Sequence, residues 1–296
     1  MTVRLDGAPV AEALHRSVRT AIDGRGSRPR PSLVSVHRGV DSPFRFYLRR
    51  QAKAAAELGI DFRDAPLAPG GGPEELAAAL RALDRDPSVH GVLLEHPLPP
   101  PFDFHRAIDE LRPEKDVDGV GERNLGLLVA QRPLHVPAVA SAALDIARHY
   151  ALPVAGARVA VIGRSETVGR PLALLLSGRP PGGNATVTLV HSQSPDLPSC
   201  LSGAATIFSC VGRPGLLDRS VVPQGAHVVD VGLSSVPDPS RPGGVRAVGD
   251  ADAASLDGWA GSLTPVPGGV GPVTVAELMG STVRAWERLT GGGGGP

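Results

Sequence analysis

The residues best placed to do chemistry lie between Gly163 and Gly169. An apolar, β-branched run from Arg158 to Ile162 ends at Gly163, passes through Arg164, Ser165 and Glu166, and enters an apolar-periodic segment from Pro171 to Leu176. This predicts a strand feeding a helix N-terminus, where free backbone N–H groups and the positive end of the helix dipole suit a phosphate. Ser165 stands where the G-x-G-x-x-G dinucleotide fingerprint has its second glycine. The match is therefore partial, and this stretch alone reads equally as plain strand-to-helix punctuation. The next stretch favours a nucleotide. Ala185 to Val190 completes a βαβ unit and ends in His191-Ser192-Gln193. An NAD site carries a carboxylate here for the ribose 2′-hydroxyl. With none present, Arg164 and Ser192 are expected to hold a 2′-phosphate, and the expected cofactor is NADP.

Amine chemistry has only two places to live, because Lys53 and Lys115 are the only lysines among the 30 basic residues. Cys200 and Cys210 are the only cysteines, no Cys/His cluster has zinc spacing, and no protein-bound metal is expected. The 30 acidic residues bring the net charge to zero, which argues against nucleic acid or an anionic membrane as an obligatory partner. Neither a signal peptide nor an apolar run long enough to span a bilayer is present, so a cytoplasmic, reducing location is expected. The 296 residues suffice for one large or two ordinary α/β domains.

The elements that must position these groups alternate. Residues 8–24 have helical apolar spacing, and Pro31 to Val36 alternates as a strand. Asp41-Ser42-Pro43 has the composition of a helix start, for a helix carrying Phe44, Phe46, Tyr47, Gln51 and Lys53 and ending at Gly59. A strand over Ile60 to Leu67, a helix from Gly72 to about Leu83 and a buried strand from Gly91 to Pro97 come next. The order β-α-β-α-β implies a parallel sheet. A short helix near His105 to Leu111 leads to a charged loop, Pro113 to Gly119, and a further helix spans about Val139 to Tyr150. In the second half, Ala205 to Val211 and Ala226 to Val231 are strand-like. Ser234 to Gly244, rich in proline and glycine, reads as a surface loop. Thr264 to Pro272 is a proline-glycine loop entering a last helix that ends near Leu289.

Several of these stretches stand together in a known pattern. Tyr47 in its helix, Pro97-Leu98-Pro99, Lys115-Asp-Val-Asp118-Gly119, Asn124-Leu-Gly126, Ile162-Gly-Arg-Ser165, Val168-Gly169-Arg-Pro171, His191-Ser192, Asp230-Val-Gly232, Val248-Gly-Asp250 and Pro265-Val-Pro-Gly-Gly-Val-Gly-Pro272-Val-Thr274 succeed one another in the order of that pattern. The chain resembles the methylenetetrahydrofolate dehydrogenase/methenyltetrahydrofolate cyclohydrolase family from roughly Leu5 to Leu289. The resemblance implies an α/β protein of two domains around a cleft. Residues 1–143 with 273–291 would form the folate-binding catalytic domain, a parallel-sheet α/β unit, and 144–272 a Rossmann-like NADP domain. Residues 292–296 form a tail expected to be disordered. A tetrahydrofolate one-carbon derivative as substrate and a homodimer are implied as well. Tyr47, Gln51, Glu95 and Asp118 fall at catalytic positions. Folate contacts would come from Tyr47, Pro97, Leu98, Asp118, Pro267, Gly268, Gly269 and Thr274. Gly163, Arg164, Ser165, Val168, Gly169, His191, Ser192, Val211, Gly212 and Gly232 fall at cofactor positions.

The departures from the pattern carry as much information. The family's lysine one turn after the tyrosine is Gln51, its glutamine before Pro-Leu-Pro is Glu95, and a serine three residues before the tyrosine is Phe44. Its Pro-Cys-Thr-Pro has become Pro137-Ala-Val-Ala140, and its Phe-His-Pro is Val120-Gly121-Glu122. Lys53 lies about 200° around the helix from position 51 and points away, and Arg50 stays protonated. Hydride removal from methylenetetrahydrofolate moves no proton, whereas hydrolysis of the methenyl cation does. The expected activity is thus NADP-dependent oxidation of 5,10-methylenetetrahydrofolate to 5,10-methenyltetrahydrofolate, with cyclohydrolase activity weak or lost. Glu95 either stabilises the cation or acts as a base, or has drifted after an activity was lost. Its carboxylate is expected to face Tyr47, within reach of Gln51, whose amide or a water supplies its donor. Two other classes stay open: a paralogue using folate-bound one-carbon units for transfer or hydrolysis in a specialised pathway, and a non-catalytic folate- or nucleotide-binding protein.

Overall fold

The computed structural model describes residues 1–26, 29–38, 44–68, 70–240 and 244–291. They divide into two compact units, Met1–Ala11 with Val139–Thr274, and Glu12–Ala138 with the chain from Val275. The first strand, β1 (Val3–Arg4), corrects the expectation that residues 1–143 hold together. It ladders with Ser262 and Leu263, so the first eleven residues join the nucleotide-type unit. A two-residue strand carries no periodic signal from which its sheet can be assigned.

After α1 (Ala8–Asp23) the other unit runs β2 (Ser32–His37), α2 (Phe44–Leu58), β3 (Asp61–Pro66), α3 (Pro73–Arg85), β4 (Gly91–Leu94), α4 (Phe104–Ile108), α5 (Glu122–Val129) and the start of α6 (Ala138–His149). The expected helix start at Asp41-Ser42-Pro43 lies outside the described residues. The three strands pair in parallel in the order β3-β2-β4, as crossover helices require. Their two faces diverge. Leu33 and Leu93 pack with Ala54, Ala55 and Leu58 of α2, whereas Val34, Val36, Val92 and Leu94 pack with Leu76, Leu80 and Phe104. The "charged loop" at 113–119 is mostly interior. Lys115 is buried and its Nζ donates to the carbonyls of Leu83, Asp84 and Asp86 at 3.0, 2.8 and 2.7 Å, closing the C-terminal end of α3. Lys53, by contrast, is on the outer side of α2 near Glu57. Helix α5 has no counterpart among the expected elements, since Glu-Arg-Asn-Leu-Gly shows little apolar period.

The second unit contains β5 (Arg158–Ile162), α7 (Gly169–Ser177), β6 (Thr186–Val190), α8 (Leu197–Leu201), β7 (Thr206–Ser209), β8 (His227–Asp230), β9 (Ser234–Pro237), β10 (Val245–Val248), α9 (Ala253–Leu256) and β11 (Ser262–Leu263). The last helix, α10 (Val270–Thr290), begins there and ends among the Leu33 and Leu93 core through Leu278, Met279, Val283 and Trp286. The six-stranded sheet of this unit is parallel throughout, in the order β1-β11-β8-β7-β5-β6. The first four residues of the expected loop at 234–244, Ser234–Pro237, instead form one strand of an antiparallel pair, Ser234 opposite Val248 and Pro237 opposite Val245. Ser234 and Val236 are half-buried and their neighbours exposed, a period of two that serine and proline conceal in the sequence. Among the described residues no helix is long and apolar enough to cross a membrane.

Candidate active site

Helix α2 lays Tyr47 and Gln51 on the face that its Ala54, Ala55 and Leu58 turn to the sheet. Tyr47 packs against the Leu33 and Leu93 core, and Gln51 is fully buried. Both ends of the Gln51 amide lack a hydrogen-bond partner. Such a group costs about 1–3 kcal/mol until something occupies it. Burial, and then the negative charge of Asp118, push the Tyr47 phenol upward, so it stays protonated near neutrality. Asp118 is placed by its neighbour. The buried Asp116 carboxylate accepts from the N–H groups of Gly119 and Gly121 and from the Asn124 amide at 3.1, 2.9 and 2.9 Å, which fixes the turn. Asp118 then accepts from the Ala138 N–H at the start of α6, at 3.4 Å. Burial and the nearby Asp116 raise its carboxyl to about 7. Glu95 follows β4, is 9% exposed, and accepts from the Arg38 N–H at 3.1 Å. That corrects the Gln51 alternative for its donor: the Gln51 amide makes no hydrogen bond, and a backbone N–H just beyond β2 donates to the carboxylate instead. Pro97 is exposed and Leu98 half-buried just beyond.

In the other unit the sheet order reverses at β5, with β6 on one side and β7 on the other. Ligands of open α/β sheets bind outside the strand C-termini at such a point. Gly163, Arg164 and Ser165 follow β5, His191 and Ser192 follow β6, Val211 and Gly212 follow β7, and Gly232 follows β8. The geometry of the turn accounts for the partial fingerprint. Gly163 has φ +110°, and a Cβ on Gly169 would stand 2.1 Å from the Gly163 carbonyl oxygen. Ser165 at the middle position turns its Oγ back to accept from the N–H groups of Val168 and Gly169, at 3.2 Å each. Arg164 and Ser192 are exposed at the ends of neighbouring strands. The loop after β7 is held from below by Asp250, which accepts from Ser209 Oγ, the Val211 N–H and the Arg213 N–H at 2.6, 2.9 and 2.6 Å. Asp230 accepts from the N–H groups of Gly232, Asp250 and Ala251, and burial raises it to about 6. It caps loops, and no reacting group need be invoked for it.

Residues 5–118 match the catalytic-domain profile of the tetrahydrofolate dehydrogenase/cyclohydrolases, and residues 137–290 match the profile of their NAD(P)-binding domain. The chain belongs to this family. It is 36% identical to the bifunctional protein FolD of Desulfovibrio desulfuricans, over 97% of this chain and 99% of that one. To the same protein of Roseiflexus castenholzii it is 38% identical over 98% of each. Among solved structures it is similar to the methylenetetrahydrofolate dehydrogenase-cyclohydrolase of Trypanosoma brucei, with a TM-score of 0.90 and 34% identity over 97% of this chain and 98% of that one.

Against the dehydrogenase/cyclohydrolase pattern, the structure gathers Tyr47, Gln51, Glu95, Pro97, Leu98 and Asp118 into one unit. Pro267, Gly268, Gly269 and Thr274 belong to the other. Thr274 spends its hydroxyl on the Val270 carbonyl, 3.1 Å away in the first turn of α10, and Gly268 accepts from the Gly7 N–H at 2.8 Å. Sequence reasoning gives Asp116 and Asp250 no role, although both stand in the quoted motifs, and passes over His37. The first two act through backbone N–H groups and leave no signal in residue type. His37 has one, a polar residue ending a buried strand beside Ser35.

Proposed function

We propose that this enzyme oxidises 5,10-methylenetetrahydrofolate to the methenyl cation with NADP, and hydrolyses that cation slowly. One observation carries the reading: the α2 face bearing Tyr47 holds the uncharged, partnerless Gln51 amide, while both lysines are engaged elsewhere. Bound NADP supplies the hydride acceptor. The glycine turn fits a dinucleotide because Gly163 and Gly169 leave backbone where side chains would stand, and the Trypanosoma brucei relative is complexed with NADP. We assign the cofactor to Gly163, Arg164, Ser165, Val168, Gly169, His191, Ser192, Val211, Gly212 and Gly232. Asp118 would accept from the donor edge of the pterin, Tyr47 would offer its ring, and Glu95 would set a negative charge near the developing cation. Pro97 and Leu98 add folate contacts in this unit; Pro267, Gly268, Gly269 and Thr274 are assigned to folate on family resemblance alone. Homodimerisation and a cytoplasmic setting belong to it as well, the first on family resemblance and the second on the free cysteines Cys200 and Cys210.

The deciding assay supplies methylenetetrahydrofolate and NADP, and follows reduced cofactor and methenyl product separately. Methenyltetrahydrofolate should accumulate nearly as fast as NADPH. Prompt conversion to the formyl product would refute the slow hydrolysis, and no NADPH would refute the dehydrogenase. For the cofactor, Arg164→Ala should weaken NADP by about tenfold or more and NAD little, since only NADP offers a 2′-phosphate to the guanidinium. Equal losses in titrations with the two cofactors would remove Arg164 from that role.

A further inference from the structure

The strands of the three-stranded sheet end in a row of titratable side chains of which the site described above uses only Glu95. His37, the last residue of β2, is 2% exposed, and its Nε2 lies 2.5 Å from Oδ1 of Asp64 on β3. On its other side the β2–β4 ladder continues one residue past β4. The Glu95 N–H donates to the Val36 carbonyl at 2.9 Å, and Glu95 Oε2 accepts from the Arg38 N–H at 3.1 Å. The residues flanking His37 are thus both bonded to Glu95. Paired residues of a parallel ladder turn to the same face. Val36 and Leu94 are such a pair, and both enter the core beside Phe104. One step further, strand alternation turns His37 and Glu95 the opposite way, to the face of Leu33 and Leu93, the leucines that pack with Tyr47. His96 confirms the alternation by stacking on Phe104, with ring centroids 4.6 Å apart. The Arg38 guanidinium lies over the Phe102 ring at 4.8 Å, which directs its charge away from this face. Glu95 and His37 are 9% and 2% exposed, whereas the Asp64 side chain is 52% exposed and opens the row to solvent.

We propose that Glu95, His37 and Asp64 form a proton relay from the folate site to solvent, serving the slow hydrolysis of the methenyl cation. The proposal rests on the folate reading above. When water attacks, a C–O bond forms at the amidinium carbon and the π pair of its C=N bond moves onto nitrogen. One water proton passes to Glu95. His37 accepts it at Nδ1 while the proton on Nε2 moves through Asp64 to water; only imidazole, with two nitrogens and an ionisation near neutrality, can pass a proton in this way. The remaining hydroxyl proton goes to the departing ring nitrogen as its C–N bond breaks, leaving the N-formyl product. Cation plus water therefore gives a neutral formamide and one proton, and the relay gives that proton its exit. Glu95 is the catalytic group; His37 and Asp64 are positioning and relay residues behind it.

The test supplies methenyltetrahydrofolate without NADP and follows loss of its absorbance against a buffer blank across pH. Hydride transfer is measured separately on the same variants. His37→Gln should lower the ratio of hydrolysis to hydride transfer by about tenfold or more and change the pH profile of hydrolysis, while Glu95→Gln, which also loses the charge beside the developing cation, should slow hydrolysis more than hydride transfer. Asp64→Asn, at an exposed position that tolerates change, should lower that ratio by about threefold. Hydride transfer by this variant should match the parent's, which a general structural loss would not allow. If His37→Gln does not fold, Asp64→Asn carries the test. Unchanged ratios, or parallel losses of both activities, overturn the relay. Parent hydrolysis no faster than buffer overturns it too and leaves the dehydrogenase intact, whereas absence of NADP reduction overturns the function reading instead.

Discussion

Asp118→Asn should lower kcat/KM for the folate by about 100-fold while raising thermal stability at pH 8. The first effect comes from pairing. A carboxylate facing the donor edge of a pterin makes charge-assisted bonds roughly twice as strong as those an amide can offer. The second comes from the raised carboxyl. Asp118 ionises at about 7 in the folded protein against an ordinary aspartate value of 3.8, because it is largely buried and lies near Asp116. The folded state therefore binds this proton more tightly than the unfolded chain. Stability falls as pH rises from about 4 to 7, and the loss is complete above that window. Asparagine carries no such cost, so the variant should gain about 2 kcal/mol at pH 8, after discounting for partial exposure, and nothing at pH 4. Folate binding by the parent should weaken about tenfold per unit below pH 7, since binding needs the ionised form. Melting curves and folate titrations across pH check all three. An asparagine variant less stable than its parent at pH 8 would contradict the account.

Gly169→Ala should destabilise the nucleotide unit by about 3 kcal/mol or more and reduce cofactor binding by well over tenfold. Its Cβ would stand 2.1 Å from the carbonyl oxygen of Gly163 and 2.6 Å from the carbonyl carbon, both backbone atoms. That backbone is held in place, because the Gly163 N–H donates to the Val190 carbonyl at 2.9 Å. Relief requires moving the strand end or the helix start, and either change closes the turn assigned to the phosphates. Gly126 in α5 is the control: a Cβ there meets nothing within 4 Å, and alanine should stabilise by up to about 1 kcal/mol. Urea unfolding and NADP titration of both variants decide it. A Gly169→Ala protein that binds NADP like its parent would show that the turn is not tightly packed.

How legible the molecule is in its sequence depends on the range of the interaction. The β-branched run before Gly163 and the helical period of α2 are local, and both elements stand where the residues say. The 200° separation of Lys53 from Gln51 is equally local, and it correctly sends one outward and buries the other. The antiparallel pair of β9 and β10 escapes because its alternation is carried by serine and proline. Glu95 shows a different limit. Alternation along a single strand fixes its face, but its hydrogen-bond donor comes from the end of β2, 57 residues away in sequence.

By itself the sequence determined the α/β alternation, the glycine turn with serine in place of its middle glycine, the absence of an amine at position 51, and the family. All of these are properties of residue type at fixed spacing. The tertiary structure alone decided that β1 joins the second sheet, that Lys115 closes α3, and that Asp116 and Asp250 hold the loops around them. It also set His37 between Asp64 and Glu95. The physical reason is common to all of them. Strand pairing and buried hydrogen bonds join groups distant in the chain, and no periodicity records which partner a burial-driven collapse will bring within about 3 Å.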